Sequence, residues 1–124
     1  NLDRVQIIKG WVDESGASHE KIHDVIWSGD REVDPGTGRL APVGDTVDPA
    51  SATYSNSIGS AQLATVWTDP EFDPAREAAY YARVIEIPTP RWSTFDAVQL
   101  GLPAPKPASI QERAVTSAIW YRPR

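Results

Sequence analysis

The sequence contains no cysteine, which excludes disulfide bonds, thiolate zinc sites and cysteine nucleophiles. Basic residues are in the minority, with 12 against 17 acidic residues and a net charge of −5. Because binding to nucleic acid needs a basic face, this balance argues against a nucleic-acid partner. No apolar run approaches the ~20 residues that cross a bilayer, so we expect no membrane insertion.

The residues that are present favour a single folded domain. The chain has 124 residues, and 40% are hydrophobic, including five Trp and four Tyr. One domain is the usual expectation at this length, and this composition supports a core. The first residue is Asn1 rather than Met. We therefore expect the chain to be a piece of a longer protein.

Turn signals divide the chain into short β-prone runs. Four Asp-Pro pairs and many glycines initiate turns. The runs between them are rich in Val, Ile, Trp and Tyr, which is typical of strands. Strands are predicted at 4–12, 20–27, 61–67, 79–87 and 115–121, with a weaker one at 52–55. A hairpin turn is predicted at 13–16.

Helical signals are sparse. Residues 94–100, closed by Gly101, predict about two turns of helix, and residues 109–113 predict one more. Residues 28–51 form a long irregular loop rich in Gly, Pro and Asp. Short strands joined by turns favour an antiparallel sandwich.

Residues 19–23 match the H-E-x-x-H motif of zinc proteases, through His19, Glu20 and His23. In those enzymes the two histidines lie one helical turn apart and bind one metal, while the glutamate activates water. The flanking residues are turn-like and β-prone instead. On a strand the histidines would lie ~13 Å apart, too far to share one zinc. We therefore favour an exposed hairpin strand, and an autonomous zinc hydrolase is the weaker alternative.

The long loop carries acidic residues that a metal-binding loop could also use. Asp30, Asp34, Asp45 and Asp48 supply oxygen ligands of the kind that calcium prefers, but their spacing fits no EF-hand. The Gly-Thr-Gly at 36–38 lacks the lysine and the helix of a phosphate-binding loop. Solvated turn residues are the simpler interpretation.

Four tryptophans lie on or next to predicted strands: Trp11, Trp27, Trp67 and Trp120. Aromatic residues in such positions are usually core residues. Exposed in a row, they would instead form a platform for sugars or a partner protein. The core interpretation is favoured, and the platform stays open.

Pro88, Pro90, Arg91 and Trp92 form a separate candidate contact site. Two prolines are expected to end the strand and to hold an extended segment that projects the arginine and the tryptophan. Arginine beside tryptophan on a rigid segment suits docking to a neighbouring domain. A buried tryptophan covered by the arginine is the equally weighted alternative.

Five blocks in order resemble a known family. They are 3–11 (DRVQIIKGW), 25–29 (VIWSG), 66–70 (VWTDP), 80–92 (YYARVIEIPTPRW) and 117–121 (SAIWY). Together they resemble the C-terminal region of a large bacterial family of unknown function. Its full-length members resemble PHP-type (polymerase-and-histidinol-phosphatase) metallohydrolases, and many resemble exported proteins. The absence of cysteine permits export without showing it.

The resemblance implies a role without chemistry of its own. The metal-binding His and Asp clusters of such enzymes lie in a barrel-like region N-terminal to this piece, and none of those motifs occurs here. We therefore expect no catalytic residue, no metal ligand and no cofactor site in this chain. The YYARV and SAIWY blocks are similar to the last strands of the β-sandwich modules that end many PHP-type enzymes.

These observations together predict an all-β, immunoglobulin-like antiparallel β-sandwich with one or two short helices and a long irregular loop. Residues 1–124 would form a single C-terminal accessory domain. Its expected partner is the N-terminal catalytic domain of the same polypeptide, reached through 88–92 and 28–51. An excised domain would expose this face and self-associate. A carbohydrate- or peptide-binding module is the alternative from another class.

Overall fold

A single antiparallel sheet organises the computed structural model, which describes all residues from 1 to 124. The elements are β1 (Leu2–Val12), β2 (Ser18–Trp27), β3 (Ala78–Pro90), α1 (Trp92–Leu100), β4 (Ser109–Val115) and β5 (Ile119–Tyr121). The strand order is β2-β1-β3-β4, and β5 also pairs with β3. This architecture confirms the all-β antiparallel class with a short helix. The only helix has nine residues, too short and too polar to span a membrane.

The β1–β2 hairpin forms where the sequence predicts it. Val12 pairs with Ser18 across the turn. The carboxylate Oδ1 of Asp13 accepts hydrogen bonds from the backbone N–H groups of Ser15 and Ala17, at 2.9 and 3.0 Å. Gly16 has φ of 85°, a left-handed conformation that glycine adopts without steric cost. The acidic turn therefore closes the hairpin.

Strand alternation gives the sheet two chemically different faces. In the register of β1 with β3, Gln6 pairs with Arg83 and Ile8 pairs with Tyr81. These residues share what we call the polar face. The intervening pairs on the opposite side share what we call the strap face, and they include Lys9 with Tyr80.

The strand predicted at 61–67 is wrong. It belongs to residues 61–71, which have no ladder partner and lie over the strap face; we call these residues the strap, and Val66 within it is 96% exposed. Trp67 packs against His23, with ring centroids 4.9 Å apart. Both sides of β1 already pair with strands, so a segment that crosses them can contact only side chains. Only Leu63 and Trp67 of the predicted strand are half-buried, so most of its β-prone residues stay exposed.

Three other predicted elements also need correction. Residues 109–113 belong to β4 and not to a helix, because Ser109 pairs with Pro90 at the end of β3. The strand predicted at 115–121 is interrupted between the end of β4 and the start of β5. In this gap the hydroxyl oxygen of Thr116 accepts a hydrogen bond from the backbone N–H of Ala82. The weak strand at 52–55 is reduced to a single bridge between Asp48 and Thr53. Long-range pairing with β3 overrides the local signal in the first two cases.

The buried core is small for a chain of this length. Ile8 and Ile87 are the only large apolar side chains that are almost fully buried. The accessible surface is 8489 Å². A folded monomer of 13.6 kDa is expected to expose about 6,600 Å². The excess of about 1,900 Å² means that much of the sheet and helix surface lacks a packing partner within the chain.

Gly59 provides a test of how the loop is held against β1 and β3. A Cβ placed there would lie 2.5 Å from Ile87 Cγ2 and 2.9 Å from the backbone oxygen of Leu2, and φ is +77°. We expect Gly59→Ala to lower the free energy of unfolding by about 3 kcal/mol, from overpacking plus left-handed strain. The control is Gly16→Ala, which has φ of +85° but open space around it.

Urea unfolding of both variants makes the comparison. The control should lose only the backbone strain of about 1–2 kcal/mol. Equal losses in the two variants would contradict close packing at Gly59.

Candidate functional site

The His-Glu-x-x-His segment lies on the extended strand β2, as the strand interpretation predicts. His19 Nε2 lies 2.6 Å from Asp13 Oδ2, and its ring stacks on Trp11. His23 instead packs on Trp67, and its buried Nε2 has no hydrogen-bond partner. The two imidazoles have separate surroundings about 13 Å apart along the strand. They do not form the zinc site of a metalloprotease.

Two acidic residues of the long loop, Asp34 and Asp48, accept hydrogen bonds within their own turns. Asp34 accepts hydrogen bonds from the backbone N–H groups of Thr37 and Gly36, which lower its pKa. The hydroxyl of Ser51 and the backbone N–H of Ala50 lower the pKa of Asp48 in the same way. No group of three or more His, Cys, Asp or Glu side chains is arranged to hold a metal ion. These residues therefore fit the turn interpretation rather than a calcium loop.

A buried ion pair fastens the strap to the strap face. Lys9 Nζ lies 2.6 Å from Asp69 Oδ2, and both side chains are more than 90% buried. The hydroxyl of Tyr80 donates to the same carboxylate oxygen at 2.8 Å, and Lys9 also donates to the backbone oxygen of Glu71. Burial raises the pKa of Asp69, but the hydrogen bonds from Lys9, Glu71 and Tyr80 outweigh it and lower the pKa overall.

A second set of hydrogen-bonded side chains lies across the polar face. Asp3, only 1% exposed, accepts hydrogen bonds from Arg31 at 2.7 Å and from Gln111 at 2.8 Å. Further along β1, Gln6 donates to Asp24 at 2.7 Å and accepts from Arg83 Nε at 2.8 Å. These bonds connect four strands and the loop that contains Arg31. Their satisfied geometry indicates a structural role.

The 88–92 segment differs in part from its prediction. Pro90 is the last residue of β3, as expected, but Pro88 lies within the strand, and both prolines pair with residues of β4, Gln111 and Ser109. Beyond Pro90 the contact with the β4 side continues, because Arg91 donates its backbone N–H to the carbonyl oxygen of Ala108. The prolines are thus compatible with a long β3.

The side chains of this segment have different degrees of exposure. Pro90 is buried, Pro88 and Arg91 are half-buried, and Trp92 is 74% exposed. Trp92 begins α1, and Arg91 precedes it in an extended conformation. The buried-tryptophan alternative is therefore wrong. The predicted contact between this segment and another domain stays a prediction.

Exposed apolar side chains are concentrated along one edge of the sheet. Nine of the 15 large exposed hydrophobic residues fall within α1, β4, β5 and their connections. These nine are Trp92, Phe95, Val98, Leu100, Leu102, Ile110, Val115, Ile119 and Trp120. Sequence reasoning singled out Trp92 and Trp120 but missed the rest. Part of the missed signal lies in the short helix. Only Thr94 and Ala97 of α1 are buried, so its remaining apolar side chains have nothing to pack against within the chain.

An aromatic groove lies where β5 meets the β1–β2 hairpin. It is lined in part by Trp11, His19, Glu77, Trp120 and Arg122. Trp120 is 72% exposed, so its expected place in the core is wrong. Arg122 Nε lies 3.9 Å from Glu77 Oε1 at the exposed rim. The groove therefore combines flat aromatic surface with a charged pair.

The sequence was compared with models of known protein families, and one family matches. The family model described as Protein of unknown function (DUF3604) matches residues 1–123. The chain belongs to this family. No curated protein and no solved structure matches it. Membership of DUF3604 confirms the expectation of a family of unknown function, over nearly the full sequence.

The Asp69–Tyr80 contact predicts how stability depends on alkaline pH. Burial, then the hydrogen bond to Asp69 and the charge of Asp69, raise the pKa of Tyr80 from 10.0 to about 12. The folded state thus binds the phenolic proton more tightly than the unfolded state. This contribution to stability is complete below about pH 10 and is lost as the pH rises toward about 12.

Urea unfolding at about pH 9 and about pH 11 measures this effect. Wild type should lose stability between the two values, and Tyr80→Phe should lose less because it has no proton to release. Tyr54→Phe removes an exposed tyrosine and serves as the control. The same loss in Tyr80→Phe as in wild type would show that the contact does not carry the dependence.

Proposed function

We propose that this chain is the C-terminal accessory domain of a PHP-like metal-dependent hydrolase and carries no catalytic residue. In this proposal its sheet belongs to an immunoglobulin-like module that packs against the catalytic barrel. The parentage rests on the ordered sequence blocks that resemble such enzymes. The physical role rests on the surface of the chain.

The observation that supports the proposal most is the excess accessible surface. The chain exposes 8489 Å², about 1,900 Å² more than a free-standing monomer of its mass. A specific interface of ordinary size buries about 800 Å² per partner. The excess therefore exceeds what one such contact would cover, and it matches a domain held permanently against another.

The shape of the surface also favours a protein partner over a small substrate. The two buried side-chain clusters, around Asp69 and around Asp3, have their hydrogen-bond partners within the chain. The exposed edge is apolar and extended, without converging charged groups. Substrate pockets are concave with a few polar groups inside, whereas domain interfaces are broad and partly apolar.

The proposal is tested by deleting the chain from its full-length parent protein. We expect the parent to keep its bound metal, measured by elemental analysis, and to unfold at a lower temperature because an interface has been removed. The isolated chain should contain no stoichiometric metal, and His23→Ala should not change this. Stoichiometric zinc in the isolated chain that disappears in His23→Ala would contradict the proposal.

The aromatic groove favours a second candidate, a carbohydrate- or peptide-binding module. Trp120 offers an exposed ring, and Trp11 and the Glu77–Arg122 pair stand beside it. Aromatic faces stack on apolar ligand surfaces while charged groups fix the orientation.

Tryptophan fluorescence tests this second candidate. The probes are soluble oligosaccharides in one series and short extended peptides in another. If the groove binds either class, wild type should respond, Trp120→Ala should lose the response, and Trp92→Ala should keep it. No response in wild type, or an equal response in both variants, would argue against the groove.

A further inference from the structure

Charge is distributed very unevenly along this acidic chain. Residues 91–124 carry five basic and two acidic side chains, a net charge of +3. Residues 1–90 carry seven basic and 15 acidic side chains, a net charge of −8. The basic residues of the C-terminal part are Arg91, Lys106, Arg113, Arg122 and Arg124. The chain is therefore acidic except in its last quarter.

The fold turns this sequence asymmetry into a spatial one. Strands β4 and β5 both pair with β3, on the side that β1 does not occupy. The helix α1 is held to the start of β4, because Thr94 Oγ1 donates to Ala108 O at 2.6 Å. We call this part of the surface, formed by residues 91–124, the C-terminal edge. The opposite edge of the sheet is β2.

The C-terminal edge combines unpaired positive charge with exposed apolar surface. Neither Arg91 nor Arg113 has a carboxylate within salt-bridge distance or a side-chain hydrogen bond. Arg113 lies on β4 between the exposed Ile110 and Val115, and Arg91 precedes the exposed Trp92. Arginine and tryptophan are the residues most enriched among interface hot spots.

We propose that the C-terminal edge docks onto an acidic, partly apolar protein surface, that of the catalytic domain of the same polypeptide. This rests on the function proposed above and specifies its contact face and the chemistry of the partner. The excess of about 1,900 Å² is large enough for such a contact. Carboxylates on the partner would pair with Arg91 and Arg113, and apolar groups would cover Trp92 and its neighbours.

The charge of the C-terminal edge and of the rest of the chain argues against other partners at this edge. A two-fold dimer through the same edge would oppose +3 with +3, and like charges across an interface cost binding energy. An anionic membrane or a nucleic acid would attract the edge but repel the −8 of residues 1–90. An acidic protein surface can contact the edge alone, without facing the rest of the chain.

The test is a double charge reversal, Arg91→Glu with Arg113→Glu, in the full-length parent protein. Hydrogen exchange of α1, β4 and β5 is measured in this variant, in wild type and in the isolated chain. We expect these elements to exchange about tenfold more slowly in the wild-type parent than in the isolated chain, and the reversal to remove most of that protection. The control is Arg39→Glu with Arg76→Glu, which makes the same charge change at two sites outside the C-terminal edge.

A cleaner single comparison uses one site at a time. Arg113→Glu is paired with Arg39→Glu, since both arginines are exposed and free of salt bridges but only Arg113 lies on the C-terminal edge. Raising the salt concentration should weaken protection in wild type and leave Arg113→Glu unchanged. Equal protection in Arg113→Glu and Arg39→Glu would overturn the proposal.

The outcomes separate this inference from the proposed function. Protection of β2 or of 28–60 instead of the C-terminal edge would overturn the docking face and leave the accessory role intact. No protection anywhere in the parent would overturn both. A dimer of the isolated chain that Arg113→Glu dissociates in sedimentation, or wild-type binding to phosphatidylserine vesicles that it abolishes, would replace the acidic domain with another occupant and so overturn the proposal.

Discussion

A β-sheet has two faces and two edges to cover, and this constraint governs the whole molecule. The chain covers the strap face with an extended segment held by the buried Lys9–Asp69 pair. It crosses the polar face with hydrogen-bonded side chains centred on Asp3 and Gln6. The C-terminal edge stays open. No second sheet of this chain packs there.

The interior depends on polar groups to an unusual degree. Asp3, Gln6 and Lys9 are as deeply buried as the apolar core residues, and each has partners from another strand or loop. Removing one partner would leave a buried charge or amide unsatisfied, which costs more than the bond itself contributes. Such networks specify one arrangement of loop on sheet, whereas a small apolar core would permit several.

Membership of DUF3604 gives the family but no activity. The histidines of the zinc-protease motif lie on a strand, where His19 contacts Asp13 and His23 packs on Trp67. Asp34 and Asp48 of the long loop accept hydrogen bonds within their own turns. The features left without an internal role are the exposed edge, its unpaired arginines and the aromatic groove. All of them are surface features.

Local sequence patterns were enough to predict the β1–β2 hairpin, the core of β3 and the helix stop at Gly101, because alternation and turn residues act over neighbouring positions. It also predicted that the two histidines would not share a metal. Contacts between distant segments made 61–67 part of the strap, made 109–113 a strand and left Trp120 exposed. Those outcomes depend on which partner β3 finds far along the chain, and a local pattern carries no information about distant pairing.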